Sequence, residues 1–239
     1  GTVDTTIPIG AGLSSSAALE VATALALGIA GPAIDIARLC QRAEHRASGV
    51  PCGIMDQLSI AAGVAGHATM IDCDSLEVTP VALPDDVDVV VHFIAHRTLV
   101  GSPYADRVRE CAAAESAIGP LRSATPDMAL DIDDPVARRR AQHVTNENRR
   151  VLEFRDALAA SDLHHAGRLM VESHESLRDL YDTSTPVMDR AVAELITRPG
   201  VYGSRMTGGG FGGCVVTICR PGAVEDGWLV RPVGAARLE

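Results

Sequence analysis

The sequence predicts an α+β fold, because its strand-like and helical segments come in separate runs instead of alternating along the chain. Three observations lead to this prediction. An alanine-rich helical segment follows the first glycine turn, three strand-like segments follow one another between residues 68 and 94, and most of the second half is helical before a last β region.

The first part of the chain predicts a strand end followed by helices. Thr2–Ile9 carries β-branched residues and ends near Pro8, which is typical of the end of a strand. Gly10–Gly12 is a glycine turn, and the apolar residues after it indicate a helix from Ser14 onward. Two more helices are expected at Asp35–Ala47 and Ile54–Ala62.

The rest of the chain predicts strands, then helices, then a short β region. Strands are expected at Ala68–Cys73, Leu76–Leu83 and Val87–Ile94, helices at Tyr104–Ala117, Val136–Ala159, Leu163–Leu180 and Met188–Thr197, and the β region at Cys214–Cys219 and Trp228–Pro232. Within the second of these helices, Arg138, Arg139 and Arg140 are interpreted as a solvated face.

Composition excludes several classes of function. A formal net charge of −10 makes the chain a poor general binder of nucleic acid or of anionic membranes. All 21 basic residues are arginine, which excludes a Walker A loop and a Schiff-base enzyme because both need a lysine. The six cysteines have no zinc spacing and the eight histidines indicate no metal site. Reduced thiols favour the cytoplasm.

A glycine and serine segment, Gly10 to Ser16, lies before the first helix. A helix N-terminus offers unpaired N–H groups and the positive end of the dipole, and glycines let the backbone approach a phosphate. The segment therefore predicts an anion site that works without lysine. The alternative is an ordinary helix cap, since serine is a good N-cap residue.

A second loop carries a carboxylate into the next short helix. Asp56 would lie in the first turn, where its ionised form is favoured, and could accept a proton from a hydroxyl nucleophile. Gly53 would let a ligand pack against the backbone. Glu44, one helix earlier, offers an oxygen ligand for Mg²⁺. The alternatives are a helix-capping Asp56 and a solvated Glu44.

A glycine-rich segment runs from Gly203 to Cys214, with five glycines in the six positions 208–213. Such a stretch predicts unusual backbone angles or the close approach of a ligand. A flexible linker is the alternative, and the apolar flanks disfavour it.

These segments resemble the GHMP kinase superfamily and, within it, the galactokinase family. Ile7–Glu20 looks like the ATP loop of the family, and Cys52–Gln57 resembles its catalytic-base segment. Val201–Cys214 is similar to its third motif. His143–Arg149 and Glu172–Arg178 are similar to galactokinase helices.

The resemblance implies a two-lobed GHMP kinase fold, with a lobe like ribosomal protein S5 domain 2 followed by a ferredoxin-like lobe. Residues 1–97 would be a partial N-terminal lobe with the ATP loop and the catalytic aspartate, and residues 98–239 the C-terminal lobe. The N-terminal galactokinase motif is expected to be missing. His96-Arg97 reverses the usual Arg-His order, and a helix usual before Trp228 is absent.

The resemblance also implies an activity and its residues. The activity is transfer of a phosphoryl group from ATP to the anomeric hydroxyl of galactose, giving galactose 1-phosphate and ADP. Asp56 would be catalytic, Gly53, Asp56 and Tyr104 would bind sugar, Ser16 and Glu44 would bind Mg²⁺, and the nucleotide would be bound by Gly10, Ala11, Gly12, Leu13, Ser14, Ser15 and Ser16.

Three alternatives stay open at this point: a kinase for N-acetylgalactosamine or arabinose, a non-catalytic sugar sensor, and an inactive fragment. The expected partners are galactose and ATP, without nucleic acid or membrane, and the expected state is a cytoplasmic monomer.

Overall fold

The computed structural model describes residues 1–97 and 102–238, which fall into two compact units. The first unit is Gly1–Leu83 with Arg231–Glu239, and the second is Pro84–Val230. The predicted lobe boundary between residues 97 and 98 adjoins residues 98–101, which lie outside the described part. The two divisions differ at β3 (Asp88–Ala95), which pairs with strands of the second unit. The lobe boundary stays a prediction.

The first unit consists of three helices and one antiparallel hairpin. The elements are α1 (Ser15–Ala26), α2 (Ala33–Ser48), α3 (Met55–Ala62), β1 (His67–Ile71) and β2 (Val78–Ala82). Val21 and Ala24 of α1 pack against Ile36 and Cys40 of α2. Leu58 of α3 packs with Ala37 of α2 and with apolar residues around the hairpin. Small and branched apolar residues at helical spacing thus join the three helices.

The second unit combines a four-stranded antiparallel sheet with four helices. After β3 come α4 (Tyr104–Ile118), a short 3₁₀ turn (Met128–Asp131), α5 (Pro135–Ala159), α6 (Leu163–Asp179), α7 (Pro186–Leu195), β4 (Val201–Met206), β5 (Gly213–Cys219) and β6 (Trp228–Val230). The strand order is β4-β5-β3-β6. Among the described helices, none is both long enough and apolar enough to cross a membrane.

Two glycines let α6 lie directly against the edge strand β4. A Cβ atom on Gly203 would lie 2.6 Å from the carbonyl carbon of Gly167, and a Cβ atom on Gly167 would lie 2.9 Å from the backbone nitrogen of Gly203. Neither position has room for a side chain. The helix therefore packs backbone to backbone on the sheet.

The predicted helices and most of the strands agree with the structure within two residues at each end. Two predictions are wrong. Thr2–Ile9, although fully described, forms no strand, and it pairs with no other strand of the described chain. Val201–Met206, most of which was assigned to the glycine-rich loop, is strand β4 because it pairs with β5.

The interpretation of Arg138–Arg140 as a solvated face is also wrong for Arg138 and Arg140, whereas Arg139 is exposed as predicted. Arg140 is only 2% exposed, and its Nε donates to Glu110 Oε2 at 2.6 Å. Arg138 Nε donates to the Ile132 carbonyl at 2.6 Å. Burial raises the pKa of Glu110, but the hydrogen bonds and charges of Arg140 and Arg107 outweigh it and leave that pKa below its usual value.

Candidate active site

The loop before α1 has an alternating backbone. Gly10, Gly12 and Ser14 have φ values of 75°, 75° and 57°, whereas Ala11 and Leu13 between them have negative φ. Alternating hand is the backbone pattern of an anion-binding nest, in which N–H groups turn toward one concave side. Here the Ala11 N–H already donates to the Pro8 carbonyl at 3.4 Å. Glycine adopts positive φ without strain, so the sequence places glycines where the chain needs it. Ser14 adopts it at a steric cost.

The N-terminus of α1 is not capped by a side chain. Ser14 is the N-cap residue, yet within the described part of the chain its side chain makes no capping hydrogen bond. The capping explanation for the serines is therefore wrong at this position. The N–H groups of the first turn, which have no partner inside a helix, are left at the positive end of the dipole.

Two carboxylates from different helices meet at one amide. Gln57 Nε2 of α3 donates to Glu44 Oε2 of α2 at 2.8 Å and to Glu20 Oε2 of α1 at 3.1 Å. Burial is the main cause that raises the pKa of Glu20, and the neighbouring Glu44 and Asp56 add to it, while the bond from Gln57 opposes it. Glu44 is thus hydrogen-bonded and half-buried, which contradicts the alternative of a solvated surface charge.

Helical spacing relates this carboxylate pair to the anion loop. Ser16 and Glu20 are four residues apart on α1 and lie one turn apart on the same face. Since Glu20 reaches Gln57 on α3, the face of α1 that carries Ser16 is directed toward α2 and α3. Ser16 itself is exposed. The loop and the carboxylates therefore belong to one side of the three-helix group.

Asp56 lies in the first turn of α3 and is half-buried. The N-cap residue of this helix is Ile54, so Asp56 is not the N-cap residue. Cys52 is next to the same acids: burial, followed by the charges of Glu44, Glu20 and Asp56, raises the pKa of its thiol to about 11. The acidic groups of three helices therefore act on one small region.

The loop that leads into α3 is attached to α2. The Cys52 carbonyl accepts from Gln41 Nε2 at 3.1 Å and lies 2.8 Å from His45 Nε2. α2 ends at Gly49 with a φ of 70°, which turns the chain back toward the helix. A Cβ atom on Gly53 would meet no atom within 4 Å, so Gly53 borders open space.

The glycine-rich loop of the second unit is ordered by its own packing. Phe211, with a φ of 62°, donates its backbone N–H to the Thr183 carbonyl at 2.7 Å. Arg97 Nη1 donates to the Gly210 carbonyl at 3.3 Å, and a Cβ atom on Gly208 would lie 2.7 Å from Arg97 Nη2. The linker alternative is therefore wrong: the glycines are needed for left-handed angles and for close contact with Arg97 and Thr183.

Tyr104 is the first residue of α4, in the second unit, and is half-buried. Its backbone N–H donates to Ser102 Oγ at 3.3 Å. All the other predicted site residues, from Gly10 to Ser16 and including Glu44, Gly53 and Asp56, lie in the first unit. Among these first-unit residues, the structure places Glu44 and Asp56 near the same side chains, Glu20 and Cys52.

Two residues of the three-helix group had no predicted role. Glu20 and Gln57 are the last residues of the two segments that resemble the ATP loop and the catalytic-base segment. Only the packing of α1, α2 and α3 shows that their side chains are hydrogen-bonded. The four-residue spacing from Ser16 to Glu20 was the available signal.

The donor set fits a hard divalent cation bound together with a nucleotide. Mg²⁺ prefers oxygen ligands, keeps several waters and is usually bound by one or two carboxylates plus phosphates. Ser16 offers a hydroxyl and Glu44 a fixed carboxylate. Across residues 1–97 and 102–238, no group of three or more histidine, cysteine or acidic side chains could hold a metal ion.

Comparison with known proteins gives two family matches. Residues 2–64 match the GHMP kinases N terminal domain, and residues 154–228 match the GHMP kinases C terminal domain. Together they cover more than half of the chain. The chain belongs to the GHMP kinase family.

Curated relatives of this GHMP kinase chain are galactokinases. It is 44% identical to the galactokinase of Bos taurus, 43% to that of Homo sapiens and 46% to that of Roseiflexus sp., in each case over 92% of the chain. The matches cover 59%, 59% and 60% of these relatives. The chain thus spans about three-fifths of the length of the curated relatives it matches.

Solved structures agree with the family. The galactokinase of Lactococcus lactis complexed with galactose superimposes with a TM-score of 0.83 at 32% identity, covering 90% of this chain and 59% of that one. The mevalonate kinase of L. major in complex with R-mevalonate has a TM-score of 0.64 at 19% identity, covering 93% and 67% of the two chains, and shows a shared fold.

Proposed function

We propose that this GHMP kinase chain carries the phosphoryl-transfer site of a galactokinase, which converts galactose and ATP into galactose 1-phosphate and ADP. The observation that supports it best is the arrangement in the first unit. An uncapped helix N-terminus behind a glycine nest lies on the side of the three helices where Glu44 and Asp56 act on the same region. Galactose is proposed as the sugar because the similar proteins are galactokinases and one of their structures contains galactose.

The nest and the first turn of α1, from Gly10 to Ser16, would bind the triphosphate. Backbone N–H groups and serine hydroxyls replace the lysine that this chain lacks. Ser16 and Glu44 would bind Mg²⁺, which when bound neutralises the charge that develops on the transferred phosphoryl group. Gly53 and Tyr104 would contact the sugar.

Asp56 would orient the anomeric hydroxyl and accept its proton. Phosphoryl transfer passes through a loose transition state, so the protein mainly aligns the reacting oxygen and stabilises charge. The first turn of α3 favours the ionised carboxylate, and a carboxylate is the form that accepts a proton. The proposal further includes a cytoplasmic monomer that needs no nucleic acid or membrane partner.

The test is galactose-dependent release of ADP by the Asp56→Asn variant. We expect turnover to fall by about 100-fold or more, because asparagine cannot accept the proton of the hydroxyl. ATP affinity should be unchanged, because Asp56 has no part in the proposed nucleotide site. Asp35→Asn is the matched control, since Asp35 also lies in the first turn of a helix of the first unit but is exposed. Near-normal turnover of Asp56→Asn would remove Asp56 from the base role.

A panel of galactose, N-acetylgalactosamine and arabinose tests the substrate. Preference for a sugar other than galactose would overturn the substrate assignment but keep the kinase. A wild-type chain that binds ATP and releases no ADP with any sugar would overturn the activity.

A further inference from the structure

Gln57 is the most deeply buried polar side chain of the three-helix group, with 1% of its surface exposed. Its Nε2 group has two N–H donors, and each faces a different carboxylate, Glu44 at 2.8 Å and Glu20 at 3.1 Å. One amide therefore connects side chains of α1, α2 and α3. Such a bridge fixes the distance between helices and also the direction of both carboxylates.

This arrangement is costly for folding. Two acids lie close enough to repel each other, and the Gln57 Oε1 atom is buried and finds no hydrogen-bond partner among the described residues. A methionine of similar shape would fill the same space without an unpaired acceptor. Methionine would, however, leave both carboxylates without the donor that the amide supplies, and it is this pair of hydrogen bonds that fixes their direction.

We propose that Gln57 is a positioning residue that orients Glu44 toward the divalent cation of a bound nucleotide. The inference rests on the proposed function, which assigns that cation to Ser16 and Glu44. A glutamate side chain has three rotatable bonds, and the bond from Gln57 restricts them before the nucleotide binds. Gln57 directly follows Asp56 in α3. The same helix would therefore orient the metal ligand Glu44 and carry the proton acceptor Asp56.

Glu20 serves as the second anchor of the same amide. By accepting one N–H it leaves the other directed at Glu44, and its position one turn after Ser16 connects the amide to the helix of the anion loop. Glu20 acts on the orientation of Gln57 and is not assigned as a ligand.

The test measures ATP affinity of the full chain with and without Mg²⁺, and the readout is the ratio of the two dissociation constants. In the wild type we expect Mg²⁺ to tighten ATP binding. In Gln57→Met we expect that gain to fall by about tenfold, as for other partners that orient metal ligands, with little change in the affinity for ATP alone. A purely structural role would weaken both affinities together.

Gln142→Met is the matched control, because Gln142 is a half-buried glutamine of α5, outside the first unit. Its ratio should equal that of the wild type. If Gln57→Met does not fold, Gln57→Asn decides, since its amide is one methylene too short to bridge both acids and should lose the gain as well. A wild type without any Mg²⁺ gain overturns the metal assignment and this inference together. A normal gain in the folded Gln57 variant overturns the inference alone.

Discussion

The N-termini of α1 and α5 are built in opposite ways. Asp134 caps α5, and its carboxylate accepts from the N–H groups of Val136 and Ala137 at 2.9 and 2.7 Å. Ser14 occupies the same position before α1 in a left-handed conformation, and its side chain accepts nothing within the described part of the chain. Both residue types are good N-caps, so composition alone would predict two capped helices.

The presence or absence of a capping side chain separates a helix end built for stability from one left available to a ligand. Capping satisfies orphan N–H groups and stabilises a helix, and α6 follows α5 in this, with Asp162 accepting from the His165 N–H at 2.9 Å. At α1 the strained Ser14 and the glycine nest leave the same groups available to a ligand. α1 gives up local stability at its first turn, where α5 and α6 keep it. Variants of Ser14 and Asp134 test this contrast directly, and a buried histidine of α5 gives a larger effect in the second unit.

Acid should weaken the second unit through a buried histidine. Burial, with the nearby charges of Arg205, Arg150 and Arg140, lowers the pKa of His143 to about 3. Below pH 6.5 the unfolded chain binds a proton that the folded one does not, so stability falls as the pH falls toward 3, by up to about 1.4 kcal/mol per pH unit. Between pH 6 and 4.5 the loss should approach about 2 kcal/mol.

The measurement is urea unfolding followed by the fluorescence of Trp228, the one tryptophan of the chain, which lies in β6 of the second unit. His143→Asn should reduce the pH slope by about one proton while an amide replaces the ring nitrogen that faces Ser176. His164→Asn, at an exposed histidine of α6, is the control. An unchanged slope in His143→Asn would contradict the assignment.

A carboxylate at the α1 cap should separate stability from binding. In Ser14→Asp the new charge should stabilise the helix end by up to about 0.5 kcal/mol through the dipole. It should also weaken ATP binding by about tenfold or more, equal to 1.4 kcal/mol, because it competes with phosphate for the same N–H groups.

Ser14→Asn controls for shape, since asparagine tolerates the left-handed conformation and carries no charge. ATP affinity from calorimetry and thermal unfolding of each variant are the measurements. If Ser14→Asp and Ser14→Asn weaken ATP binding equally, then charge at this helix end has no part in nucleotide binding.

Local sequence signals predicted most of the fold, because helix periods, prolines and turn residues act over short distances. The start of α5 was predicted at Val136 and lies at Pro135. β4 was missed because Gly203 and Ser204 have weak strand propensity and only pairing with β5 makes a strand of them. Thr2–Ile9 failed for the converse reason: its residues favour a strand, but no described strand pairs with it.

For the candidate site, the sequence likewise indicated the features that lie within one segment and missed the contacts between helices. The glycine and serine loop and Asp56 could be proposed from the sequence because each belongs to a short run of consecutive residues. The bridge from Gln57 to Glu20 and Glu44 was not, because it joins residues 37 and 13 positions apart and exists only after three helices have packed. Arg140 was misjudged for the same reason, since its partner Glu110 lies on another helix.

Removing a cap from the second unit should cost stability and leave the ligand site unchanged. Asp134→Ala deletes the acceptor for two N–H groups and should lower the free energy of unfolding by about 1 kcal/mol. Trp228 fluorescence in urea should report a lower midpoint with an unchanged slope, since the surface exposed on unfolding is the same. Asp133→Ala, at the exposed neighbour, should have no such effect. An equal loss in both variants would mean that charge near the helix, and not the two capping bonds, supports α5.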